Sequence, residues 1–416
     1  MRLLVVSQYF WPENFRINDL VAEMVARGHE VTVLTGWPNY PDGEVFPDFR
    51  ANPRGFDSFA GAKVVRVPLL PRGKGGLRLA LNFFTFAVSG SLLGAWKLRG
   101  QRFDAIFVFE VSPVTVGIPA IVQRWLKKAP IAFWVLDLWP ETLEAIGAVR
   151  SPRILGLVGG LVRFIYRRCD LLLAQSRSFI PQIRKYAGET QVRYFPQWAE
   201  AVHDAAEAPP APEVPVEPGA FTIVFTGNIG DAQDFPTVLD AAERLKASAP
   251  HVRWVIVGDG RMAGWVRDEV QRRGLQARVL LAGRFPVERM PSFYRHADAL
   301  LVSLKPEPIF AMTLPGKLQS YLAAGVPILA MLDGEGAQVV TEAVAGVAAR
   351  AGDAQGLADA VLRLAALPHE ERAAMGQRGR QLGAIEFDRG RQIDKLEGWL
   401  ADLRHPGQAA EREARS

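Results

Sequence analysis

Residues 2–35, RLLVVSQYFWPENFRINDLVAEMVARGHEVTVLT, decide the fold class. Arg2 to Ser7 carries a continuous apolar run, the mark of a parallel strand covered on both faces. The loop QYFWPENFR follows, and then Ile17, Leu20, Val21, Met24 and Val25 recur at helical spacing. Gly28 ends that helix, and Glu30 to Thr35 forms a second apolar strand. The result is a β–loop–α–β unit of a doubly wound parallel sheet, in which ligands bind beyond the carboxyl ends of the strands. The loop at that edge carries Trp11, Glu13, Asn14 and Arg16, the first candidate binding residues. No G-x-G-x-x-G occurs there, which disfavours a dinucleotide site.

Outward from this unit the α/β rhythm continues. Residues 37–61 are rich in Pro, Gly, Asn and Asp and read as a long irregular loop. Strands are expected at 63–67, 104–109, 131–136 and 170–174. The fourth strand ends at Glu110, and the fifth delivers DLWPET, residues 137–142, to the same edge as the first loop. Glu110 and Asp137 are therefore candidate site carboxylates, with a helix cap or first-turn acid as the competing reading for each. Leu77 to Trp96 is a mostly apolar stretch flanked by Arg72, Lys74 and Arg78 on one side and Lys97, Arg99 and Arg102 on the other. It reads first as a buried or half-exposed core helix, second as a membrane-interface helix, and last as a membrane span.

Residues 201–219 hold five prolines in an acidic, alanine-rich context that cannot build a core, and are expected to be the linker between two domains. The second half repeats the pattern, with strands expected at 222–226, 252–257, 278–282, 299–303 and 327–331. GNIGDAQ after its first strand offers Gly227 and Gly230 for a tight turn close to a ligand. Arg284 lies at the mouth of its third strand. TLPGKLQ, residues 313–319, opens a short helix in which Thr313 is placed to cap and Pro315 suits the first position. A helix start supplies free N–H groups and positive potential, which suits phosphate; Lys317 adds a charge, and Gln319 an amide for hydroxyls.

Bulk properties narrow the class. A chain of 416 residues exceeds one core, so two domains are expected. The net charge of +5 suits a phosphorylated ligand or an anionic membrane surface; nucleic acid is disfavoured because no basic–aromatic module appears. One cysteine, Cys169, excludes an internal disulfide and a cysteine-type metal cluster. The N-terminus reads as a buried strand, not a signal peptide.

YFWPENFRINDLVAEMVARGHEVTVLT, DLWPET, VFTGNIGDAQDF, IVGDGR, AGRFPVERMPSFYRHADALLVSL and TLPGKLQSYLAAGVPILA together resemble the retaining family-4 glycosyltransferases of the GT-B fold. The likeness is nearest to the bacterial branch that builds O-antigen, capsule and exopolysaccharide, including fucosaminyl- and fucosyltransferases. The resemblance implies two Rossmann-like domains facing across a cleft. Residues 1–200 would bind the acceptor and residues 220–384 the nucleotide-sugar. Residues 385–404 would form a helix crossing back to the first domain, before a disordered tail, 405–416.

The resemblance also assigns residues. The donor would be held by Gly227, Asn228, Gly230, Gln233, Arg284, Phe285, Thr313, Leu314, Pro315, Gly316 and Gln319, with Asp137 and Lys317 catalytic. The acceptor would meet Trp11, Glu13, Asn14, Arg16 and Glu110. Gln319 stands where the family usually has the second Glu of its Glu–seven residues–Glu pattern, while Ala311 replaces the first. Asn228 and Gln233 replace the usual Arg and Lys after the first strand of the donor domain. Neither cofactor nor metal is expected, since no DxD-like pair stands at a strand end. The donor is expected to be a UDP-sugar, with an N-acetylated 6-deoxyhexose as the sugar. The acceptor would be a polyprenyl-diphosphate-linked saccharide at the cytoplasmic face of the inner membrane, where the enzyme would be peripheral. A GT-B-type UDP-sugar epimerase and a non-enzymatic two-domain sugar-binding protein are the rival readings.

Overall fold

A computed structural model describes residues 1–73, 75–145, 147, 149–199 and 208–404. The chain forms two units: residues 1–195 together with the helix residues from Gln392, and residues 196–391.

The first unit holds eight strands: β1 (Arg2–Ser7), β2 (Glu30–Gly36), β3 (Ser58–Phe59), β4 (Ala62–Val67), β5 (Ala105–Glu110), β6 (Ile131–Val135), β7 (Leu171–Ala174) and β8 (Gln191–Tyr194). Their order is β3-β4-β2-β1-β5-β6-β7-β8, parallel throughout except for the short β3–β4 pair. Strands β5 and β6 are buried along their whole length, which is why their sequences are apolar runs and not alternations. The order reverses between β1 and β5, so the crevice for a ligand lies beyond Ser7 and Glu110.

The second unit holds β9 (Phe221–Thr226), β10 (Val252–Val257), β11 (Val279–Gly283), β12 (Ala299–Ser303), β13 (Ile328–Met331) and β14 (Gly346–Ala349). All are parallel, in the order β11-β10-β9-β12-β13-β14. Its reversal falls between β9 and β12. Both units are thus the doubly wound parallel-sheet domains expected from the strand pattern.

Some expectations need correcting. The loop at 37–61 contains a short helix, Pro47–Ala51, a 3-10 turn, Pro53–Phe56, and β3. The expected linker is only partly a free connector. Residues 201–207 lie outside the described residues, but Ala211 and Val214 are buried, Ala211 N–H donates to Ser292 O at 3.0 Å, and Glu213 pairs with Arg289 at 2.8 Å. Its prolines fix an extended path that the small apolar residues between them pin to the second unit. The expected tail, 405–416, lies outside the described residues.

The apolar stretch forms one helix, Gly76–Lys97, long and apolar enough by composition to cross a membrane. Of the expected readings it matches the half-exposed helix, packed by one face only. Asn82, Phe86, Ala87, Gly90 and Gly94 face inward, while Leu77, Phe84, Leu92 and Trp96 are 77%, 63%, 68% and 60% exposed. The last helix, Arg389–Arg404, sends Glu397 to Arg27 at 2.5 Å and to His29, both in the first unit. Trp399 packs on Phe195 there at 5.8 Å.

Candidate functional site

In the second unit the residues after β9 fold over the switch point. Gly227 adopts φ +127°, a conformation that L side chains rarely adopt. Its N–H donates to Val257 O, and Ile229 N–H to Asp259 O, both at 2.9 Å, so the loop is laced to the end of β10. A second lacing comes from β12: Ser303 Oγ donates to Gln233 O at 2.7 Å, Lys305 N–H donates to Ala232 O at 2.9 Å, and Lys305 Nζ pairs with Asp231 at 2.7 Å. Gln233 Oε1 accepts from Gly230 N–H at 3.1 Å, which shapes the turn from within. Gly230 is extended at φ −111°, and a Cβ there would meet only the movable side-chain ends of Asn228 and Gln233, so neither its backbone angle nor its surroundings demand glycine.

The helix Gly316–Ala324 opens at this edge. Pro315 is its cap residue, not its first helical position. Thr313 does not cap it: the Thr313 hydroxyl donates to Ile309 O at 2.8 Å, in the preceding turn. Leu314 is buried, Gly316 exposed, and Leu318 N–H is tied back to Pro315 O at 2.9 Å. Lys317 then folds inward. Its Nζ is buried without a hydrogen-bond partner among the described residues, 3.7 Å from the centroid of the Phe225 ring on β9 and beneath Gly227. Desolvation pulls this ammonium down to about 7. A phosphate placed at this helix start would supply the partner that the buried Lys317 Nζ lacks.

Gln319 is buried rather than on an open polar face. In the amide orientation that satisfies its neighbours, its nitrogen donates to Pro315 O at 2.9 Å and Gly316 O at 2.8 Å, bracing the helix start. Arg284 is exposed after β11, and Phe285 packs on Phe293 at 4.9 Å.

In the first unit Glu110 and Asp137 meet at neighbouring strand ends. Glu110 is fully buried; its Oε2 accepts from Asp137 N–H at 3.3 Å, and its Oε1 has no partner among the described residues. Desolvation, reinforced by Asp137, raises the Glu110 carboxyl well above its ordinary range. The Asp137 carboxylate accepts from Thr142 Oγ1 at 2.5 Å and Trp139 Nε1 at 3.2 Å. Desolvation raises Asp137 too, opposed by those bonds and by Ser112. Ser112 holds φ +111°, strain of a kind that collects at functional sites.

The loop candidates divide. Glu13 is buried and accepts three main-chain N–H groups, from Phe10 at 3.0 Å, Asn39 at 2.8 Å and Tyr40 at 2.7 Å, so it knots two loops together. Burial pushes its carboxyl up to about 7 against those bonds. Trp11 packs on Phe56 and Phe59 at 5.0 and 5.5 Å. Asn14 is exposed, and Arg16 begins the first helix. Sequence reasoning missed Asn82, whose buried amide links Gln8 at 2.6 Å, Leu70 O at 2.6 Å and Asn39 at 3.3 Å. A polar residue inside an otherwise apolar helix was the available signal. His29 and His296 are occupied structurally, by the N-terminus with Glu397 and by Ala211 O respectively.

A family model described as a glycosyl transferase 4-like domain matches residues 14–198, and one described as glycosyl transferases group 1 matches residues 220–366. A colanic acid biosynthesis glycosyl transferase, WcaI of Escherichia coli K12, is 29% identical over 345 residues, covering 78% of this chain and 82% of the relative. Anabaena HepE in complex with UDP superposes with a TM-score of 0.68 at 14% identity, covering 97% of this chain and all of HepE. WaaG, a glycosyltransferase involved in lipopolysaccharide biosynthesis, superposes with a TM-score of 0.66 at 13% identity, with 97% and 100% covered.

Proposed function

Because the chain belongs to the glycosyltransferases of the GT-B fold, its two matched domains together spanning residues 14–198 and 220–366, we propose that it moves a sugar from a nucleoside-diphosphate sugar onto a lipid-linked saccharide, with retention of configuration, in cell-surface polysaccharide synthesis. The observation that carries this reading is Lys317, a buried ammonium without a partner among the described residues, at the mouth of a helix beneath the Gly227 turn. Departure of the nucleoside diphosphate builds negative charge on its β-phosphate. Fixed main-chain dipoles and one desolvated cation aimed at that charge lower the barrier without reorganising. In this reading the donor occupies the second unit, along Gly227, Asn228, Gly230 and the Pro315–Lys317 helix start. Gln319 holds the shape of that start instead of reaching for ribose.

The acceptor occupies the first unit. Asp137 orients sugar hydroxyls, with Glu110 beneath it, and the acceptor hydroxyl attacks on the face the diphosphate leaves, which takes the proton. UDP is the favoured nucleotide, supported by the resemblance to the N-acetylated 6-deoxyhexose branch and by the UDP in the HepE complex. A polyprenyl-diphosphate-linked acceptor at the cytoplasmic face of the membrane is supported by the exposed apolar face of the Gly76–Lys97 helix. The polysaccharide pathways named for WcaI and WaaG support it as well.

The test is thermal stabilisation by UDP, GDP, dTDP and ADP without added metal. Ligand at 100 times its Kd stabilises the folded state by about 2.7 kcal/mol. UDP is expected to raise the melting temperature above the other three; no shift with any nucleotide overturns the reading. NMR of the product's anomeric proton tests retention.

A further inference from the structure

A groove of about 570 Å³ opens on the first unit next to Asp137. Its walls come from the Gly76–Lys97 helix, through Phe83, Phe84, Ala87 and Leu92, and from Trp139 and Leu161 facing them. Among its described lining side chains only Ser91 and Thr115 carry a hydroxyl, and none is charged. The volume falls within the range of about 300–1,000 Å³ typical of organic-ligand sites, but the convergent polar groups that orient a polar ligand are missing. Such walls suit a hydrocarbon.

Three observations narrow the choice of hydrocarbon. Trp139 belongs to both sites: its indole N–H donates to Asp137 Oδ2 at 3.2 Å, while its ring meets Phe83 edge-on at 6.1 Å inside the groove. A chain lying in the groove therefore has an end beside the candidate acceptor carboxylate. The outer rim, Phe84 and Leu92, is open to solvent and continues into Leu77 and Trp96 on the same helix and into Leu157, 75% exposed, on the Pro152–Tyr166 helix. Arg72 and Arg78 at one end of the long helix and Lys97 and Arg99 at the other give this apolar face a basic margin, as expected of a surface that meets anionic lipid. Finally, the lining combines the rings of Phe83, Phe84 and Trp139 with the small side chains Ala80, Ala87 and Ser91, an uneven apolar surface of the kind that a methyl-branched chain fills better than a straight one.

We propose that this groove takes the hydrocarbon chain of an isoprenoid-linked acceptor, holding the units nearest the diphosphate while the attached saccharide reaches Asp137. The proposal rests on the lipid-linked acceptor reading given above.

The test titrates the full-length protein, by calorimetry, with farnesyl diphosphate, dodecyl phosphate and inorganic diphosphate. Farnesyl diphosphate is expected to bind at least tenfold more tightly than either of the others. Ala80→Phe and Ser91→Phe, which fill the groove from the helix side, are expected to weaken it tenfold or more while leaving the UDP-induced thermal shift intact, which also shows that the variants fold. Leu77→Ser, outside the groove, is expected to bind farnesyl diphosphate as the parent does. Equal binding of farnesyl and inorganic diphosphate, or filled variants that bind like the parent, overturns the groove; equal binding of dodecyl phosphate overturns its isoprenoid assignment. A UDP shift without farnesyl binding rejects the groove and leaves the transferase reading standing. Farnesyl binding with no nucleotide shift does the reverse.

Discussion

The main-chain amide of Asp137 donates to Glu110 Oε2 at 3.3 Å, which sets two carboxyls side by side at the ends of adjacent parallel strands. Glu110 is the more buried and has one oxygen without a partner among the described residues, while Asp137 has Thr142 and Trp139 as donors. Two such neighbours do not both ionise readily, and burial with Asp137 beside it raises the Glu110 carboxyl well above its ordinary range. A carboxyl raised in the native state binds protons there that the unfolded chain has already released. Stability therefore falls as pH rises from the ordinary value of 4.5 through the raised one. Glu110→Gln is expected to flatten that fall in melts between pH 5 and 8 and to keep most of the turnover. Asp137→Asn is expected to lower kcat by about 10²-fold, the size of losing one positioned electrostatic contact. Unchanged turnover in Asp137→Asn would remove that residue from the chemistry.

Lys317 gives the proposed donor site a proton signature. Its native value of about 7 lies below the ordinary 10.5, so between those values the unfolded chain holds a proton that the native one lacks. Stability of the ligand-free protein is expected to rise with pH across that window. A bound diphosphate restores the charge, so UDP binding at pH 8 takes up a proton and weakens as pH rises. Calorimetry in two buffers of different ionisation enthalpy reads the uptake directly. Lys317→Met should abolish it and weaken UDP by about 10- to 100-fold, the worth of a hydrogen bond to a charged group.

These relationships show where sequence stops being legible. Leu3 to Val6 announced a covered parallel strand because burial on both faces leaves no alternation. Gly346–Ala349 did not, being short and only partly buried at the sheet edge. Lys317 was readable as a charge at a helix start, but its burial over Phe225 depends on how β9 packs against that helix. Glu110 and Asp137 were readable singly, since each ends an apolar run; their contact required β5 and β6 to be neighbours. Glu13 looked like a loop acid facing a ligand because its partners at Asn39 and Tyr40 come from another loop.

Glu13 yields a prediction that separates structure from recognition. Glu13→Ala strands three main-chain N–H groups in a buried place, each costing about 1–3 kcal/mol. The variant is expected to lose about 3 kcal/mol or more in denaturant melts of the first unit, while the UDP shift, which belongs to the second, persists. A variant of unchanged stability but weakened acceptor binding would return Glu13 to the acceptor site.

Gly258 tests whether the close approach of two main chains is what builds the turn proposed to hold the donor. It sits at φ +149°, and a Cβ there would lie 1.8 Å from Gly227 O. Neither chain can yield cheaply, because Gly227 N–H is bonded to Val257 O and Gly258 N–H to Gly283 O, at 2.9 and 2.8 Å. An alanine must therefore distort the backbone of the loop proposed to receive the diphosphate. Gly258→Ala is expected to cost about 2–4 kcal/mol, combining backbone strain with overpacking, and to lose the UDP shift. Gly264→Ala, on the next helix with nothing within 4 Å of the added carbon, is expected to change stability by less than about 1 kcal/mol and to bind UDP normally. If Gly258→Ala binds UDP like the parent, the diphosphate does not lie against the Gly227 turn, and the Lys317 helix start must hold it alone.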